Sequence, residues 1–202
     1  MKKRRKRIDK ENFLLSQYSK SFGFICESRN FIYSIIGIFF AFSIFSFLVP
    51  PPDYIFEQII EFIKELLEKT KDMNQFELIN FIFFNNLQSS FFGMLFGIFL
   101  GVPSLIVTVV NGYLLGFVAN IAVNAEGFSS LLRLFPHGIF ELPAVFVSLG
   151  LGLKIGSFVF REKKIKSLKN FLSNSFRVFV FVVIPLLLIA AIIEGSFIYW
   201  FR

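Results

Sequence analysis

Hydrophobic positions in this chain gather into long uninterrupted runs. Residues 31–49 are apolar and uncharged. Residues 81–124 stay nearly free of charge for about twice the roughly 20 residues that one membrane-crossing helix needs. The middle of that run reads Gly101-Val102-Pro103-Ser104. Proline cannot donate a backbone N–H inside a continuing helix, so the pattern predicts two helices, 81–101 and 104–124. A fourth run, 136–156, opens on Pro136, a residue favoured in the first helical turn. A fifth covers 178–198. The expected fold is all-α, a polytopic membrane helical bundle with about five transmembrane helices.

Between the runs the pattern changes. Residues 1–30 begin MKKRRKR and continue with Leu14, Leu15, Tyr18, Phe22, Ile25 and Cys26 on one helical face. Such an arm is expected to lie on a lipid surface, its basic residues attracted to anionic headgroups. Pro50-Pro51-Pro52 then breaks the chain before an amphipathic stretch over 53–75, with Asp53 placed to cap it. Its apolar stripe is built on Ile55, Ile59, Ile63 and Leu66, with Glu57, Glu61, Glu65 and Glu68 opposite. That helix belongs outside the hydrocarbon, at an interface or against a protein partner, and 50–80 is read as an external acidic segment. Residues 157–177 read as a basic loop.

Composition agrees with the bilayer as solvent. Of 202 residues, 55% are hydrophobic and 17% charged, against roughly 25% charged in soluble domains. A soluble chain of this size could not hide so much apolar surface in one core. The net charge of +7 would elsewhere suggest nucleic acid, but its distribution points to membrane topology instead. Sixteen of the 21 Lys and Arg fall within 1–30 and 154–177, whereas seven of the 14 acids fall within 50–80. By the positive-inside rule the expected orientation is N-terminus cytoplasmic and C-terminus external, in the cell membrane. The run 31–49 is expected to remain as an anchor, because prolines stand where a signal peptide's small-residue cleavage site would be. The single Cys26 excludes an internal disulfide and any metal-finger spacing.

Glycines recur at spacing four: Gly93, Gly97 and Gly101, then Gly112 and Gly116. Such ladders let membrane helices approach closely, within one chain or between two copies. Polar residues inside spans are costly and rare. The topology gathers His137, Glu141, Glu194, Asn86 and Asn120 in the outer half of the bundle, with Asn85 and Gln88 nearby, and no comparable group in the inner half. This cluster reads as a structural network. It could also serve as a proton or ion relay, or as a divalent-metal site made of one His and two carboxylates. Hydrolysis has little support, since the chain lacks HExxH and GxSxG and has one His. No cofactor, bound metal or nucleic-acid partner is expected.

The segment Pro136-His137-Gly138-Ile139-Phe140-Glu141-Leu142-Pro143-Ala144 resembles the signature of the stage II sporulation protein M family. Asn86, Asn111-Gly112-x-x-x-Gly116 and Ile193-Glu194 resemble that family's other recurrent positions, so the likeness covers about 80–197. It implies about five spans. By similarity to the family's namesake in sporulating bacteria, it also implies a scaffold that localises cell-wall hydrolases during engulfment. Three functions follow as expectations. The first is a non-enzymatic membrane scaffold recruiting partners through 53–75. The second is a transporter or channel subunit using the polar cluster, and the third an intramembrane hydrolase.

Overall fold

A computed structural model describes the backbone of residues 2–200, with side chains described for 13–132 and 138–200. Among the described residues there are helices and no strands. α1 (Lys2–Glu27) leads almost directly into α2 (Arg29–Leu48). After the prolines come α3 (Asp53–Lys71) and α4 (Gln75–Leu95), the latter extended by a 3-10 turn. α5 (Val102–Glu126) returns, a second 3-10 segment follows, and α6 (Phe135–Gly156) crosses again. α7 (Lys164–Val178) and α8 (Ile184–Trp200) close the chain. Five of these stretches are long and apolar enough to cross a membrane.

Local chemistry moves three boundaries away from the sequence reading. The second span begins at Gln75, not 81, because Asn74 and Glu77 form a capping box that satisfies orphan backbone donors. Asp53 is the first residue inside α3, where its carboxylate suits the positive helix end, and Pro52 occupies the cap position. The turn expected near Pro103 is set by Leu100 and Gly101, both in the left-handed region (φ 57° and 76°), so that α5 starts at Val102.

Residues 157–177 are not a loop. A short 3-10 turn leads into α7, whose helical face buries Phe171, Ser175 and Val178. α7 then continues through a π-helical segment, Phe179–Val183, into α8. Pro185 accounts for that irregularity, since its ring would clash with the carbonyl of Phe181, four residues back.

α6 is the axis. More than half of its apolar window is buried, against a third or less for every other span. α4, α2, α5 and α8 all pack on it. Phe39 and Phe146, whose ring centroids lie 5.0 Å apart, anchor the α2 side, while Leu151, Ile155 and Val183 fill the α8 side.

Glycines set the distances between helices. A side chain at Gly97 would run into the backbone carbonyl of Gly152, and one at Gly156 into the backbone of Gly101. α4 and α6 therefore meet backbone to backbone, a seam that lipid-phase packing favours because dispersion contacts replace the missing hydrophobic drive. Ser104 and Ser148 bind it, their hydroxyls donating to the carbonyls of Gly93 (2.7 Å) and Ser90 (2.8 Å). The α2–α5 seam is a ladder: Gly112 lies against the Phe39 carbonyl and Gly116 against that of Ser43. The next rung is Asn120, whose Nδ2 donates to the Phe47 carbonyl at 2.8 Å. That carbonyl is one of the last four of α2, which have no partner within their own helix.

Candidate functional site

The helices carrying the polar residues meet at the end of the bundle nearest α3. α4, α6 and α8 pack pairwise. Ser148 bonds to Ser90, Gly195 faces Ile79, and Gln75 Nε2 donates to Ser196 Oγ at 3.0 Å. These registers put Glu141 and Glu194 in the same half of the bundle, on helices that touch. Glu141 is 5% exposed and Glu194 half-buried. Pro143 follows Glu141 and is exposed; its missing N–H frees the Ile139 carbonyl from the helical ladder. The side chains of Pro136 and His137 lie outside the described residues.

The other polar positions are used differently. Asn86 is half-buried on α4. Asn120 is committed to the α2–α5 seam and also accepts from Asn124 (3.0 Å). Asn111 is exposed and donates to the Val107 carbonyl of its own helix at 2.8 Å. Asn85 and Gln88, expected near the cluster in the outer half of the bundle, are exposed on the flank of α4. Among the described residues no three His, Cys, Asp or Glu side chains are grouped to hold a metal ion.

The opposite end holds the polar group that sequence reasoning missed. Lys154, in the last turn of α6, is 2% exposed. Its ammonium donates to Glu27 Oε1 at 2.8 Å and to Ser28 Oγ at 3.1 Å, and lies 4.0 Å from the centre of the Phe24 ring. The Phe171 ring of α7 lies 5.3 Å away. One cation thus joins α6 to the α1–α2 junction and to α7, and its charge also suits the negative C-terminal end of α6. Counting Lys154 as a loop charge hid this role. The signal was its place between Gly152 and Gly156, inside the apolar tail of a span. The same two glycines form the α6 half of the backbone seam, and their spacing of four was equally legible.

α3 is the third polar element. None of its residues is buried. It touches the bundle through Phe56, edge-on to Phe117 of α5 (5.5 Å between centroids), and through Lys69, 5.2 Å from the Phe81 ring centre. It makes no extended contact with any other helix. Glu57, Glu61, Glu65 and Glu68 are exposed along one side, and Phe62, Leu66 and Leu67 are exposed as well.

The family model described as Stage II sporulation protein M matches residues 31–197. That match covers all five spans and most of the chain, and the chain belongs to this family. No curated protein and no solved structure matches it.

Proposed function

We propose that this member of the stage II sporulation protein M family is a non-enzymatic membrane scaffold that presents α3 to a protein partner. The observation carrying this reading is a helix of 19 residues, amphipathic yet without a buried residue, fixed to the bundle by ring contacts near its two ends. Its Ile55, Ile59 and Ile63 are half-buried, while Phe62, Leu66 and Leu67 stand exposed beside the glutamates, and exposed apolar surface next to charge is how interaction sites are built. The seams of the bundle support the same role: backbone-on-backbone contacts make it a rigid anchor. In this reading α1 and α7 are cytoplasmic, with their basic residues towards anionic lipid, and α3 is external.

Two experiments test it. Cysteines replacing Asp72 or Ser167 in a Cys26→Ser background are treated with an impermeant maleimide on intact cells. Labelling is expected at position 72 only, and labelling at 167 instead would invert the orientation. For the scaffold itself, Phe62→Ser with Leu66→Ser and Leu67→Ser should leave the melting temperature unchanged while abolishing enrichment of neighbouring proteins in proximity labelling. An unchanged set of neighbours would contradict it.

A second reading, ion handling, rests on the burial of Glu141 in a span. As part of a structural network Glu141 tolerates Gln; as a relay it does not.

A further inference from the structure

α4 is the least apolar of the five spans, and part of its polarity faces away from the bundle. Asn85, Gln88 and Ser89 are exposed near the middle of the 24-residue span Gln75–Ile98. Phe84 and Phe92, also exposed, flank them at helical spacing. The adjoining face carries Gly93 and Gly97, turned towards Leu149 and Gly152 of α6. An open groove of about 280 Å³ runs along the amide face and reaches Pro103 and Val107 of α5. A wider groove of about 770 Å³ shares Asn85 and Gln88 and extends to Lys69 at the end of α3.

Acyl chains offer no hydrogen-bond partner, so a carboxamide exposed to them at mid-span is costly. Something that both accepts and donates should cover this face. A primary amide does both, so the simplest complement to a row of amides is the same row on another copy. Two α4 helices related by a two-fold axis would bring Asn85 and Gln88 of each towards the other, with the phenylalanines packed beside them. The glycine ladders, which in many membrane helices form such a dimer seam, are already consumed inside this chain. The amide face remains. We infer that a second copy of this chain covers the Asn85–Gln88–Ser89 face of α4, giving a two-fold dimer whose axis passes beside α4.

The test uses the full-length chain in its native membrane, with single cysteines in a Cys26→Ser background. A cysteine replacing Gln88 should form an oxidative disulfide dimer at twice the 23.3 kDa chain mass. Cysteines replacing Phe40 of α2 or Val110 of α5, exposed apolar residues of other spans, serve as controls and should not. In liposomes, Asn85→Leu with Gln88→Leu should raise the dimer dissociation constant about tenfold, measured by energy transfer between labelled copies. Its melting temperature should stay unchanged, since leucine suits a lipid-facing position. Equal cross-linking at Gln88 and the controls overturns the dimer, as does an adduct at Gln88 with a different protein alone. A leucine variant that melts and dimerises like wild type overturns it too.

Discussion

α1 and α3 are both amphipathic helices outside the spans, yet the fold treats them differently. α1 is tied in at its C-terminal end, although Leu14, Leu15 and Phe22 stay exposed: Ser21, Phe24 and Ser28 are buried, Tyr18 meets Phe181 edge-on, and Lys154 reaches across to Glu27. α3 has no buried residue; Ile55, Ile59 and Ile63 are half-buried, and ring contacts near its two ends join it to the bundle. The difference teaches where binding capacity lies. A helix whose polar groups are spent on its own bundle contributes to stability. One that lacks such a tie and turns Phe62, Leu66 and Leu67 outwards is available to others.

The largest expected effect sets the scale on the bundle side. Gly97→Leu would drive a side chain into the Gly152 backbone, and neither backbone of that seam can yield. It should cost roughly 3 kcal/mol or more, read as a large drop in melting temperature in detergent. A variant melting like wild type would show that α4 and α6 are not joined there.

Next comes the tie on α1. Lys154→Ala removes a buried stem, an ion pair and two ring contacts, and should destabilise by about 2–4 kcal/mol. Glu27→Gln should cost less, about 1 kcal/mol, because Glu27 is largely exposed and Ser28 remains as a partner. If Lys154→Ala were silent while Glu27→Gln was not, the burial of Lys154 would be misassigned and the contrast with α3 would weaken.

Smaller still is Glu141→Gln, which keeps volume and hydrogen bonding and should shift stability by less than about 1 kcal/mol. Glu141→Leu should cost about 1–3 kcal/mol, because the partners of the carboxyl lose it inside the bundle. The smallest effect belongs to α3, where Glu61→Lys should change stability by no more than about 0.5 kcal/mol.

The sequence made the spans legible because uncharged runs of 20 or more residues have few alternatives in water. Pro103 marks the break between the second and third spans, although the structure makes that turn with Leu100 and Gly101 in the left-handed region. The loop over 157–177 was misread because its charges dominated its composition, hiding the face of Leu168, Phe171, Leu172 and Ser175 that α7 turns inward. A lysine near a span end normally reaches for water; the approach of Glu27 and Ser28, 127 and 126 residues away in sequence, gives Lys154 its partners. The sequence places Asn85 and Gln88 by depth alone, in the outer half of the bundle. Depth follows from topology, but the face of a helix that meets its neighbours is set by packing, and on α4 the glycines claimed it.

The central claim is that α3 is a docking surface and α1 is not. A photo-activatable phenylalanine analogue replacing Phe62 on the exposed side of α3, or Phe24 at the buried end of α1, tests it directly in living cells. Irradiation at position 62 should give a discrete adduct with another protein, while position 24 should cross-link within its own chain. Lipid adducts alone at position 62, or the same protein adduct from both positions, would contradict the account.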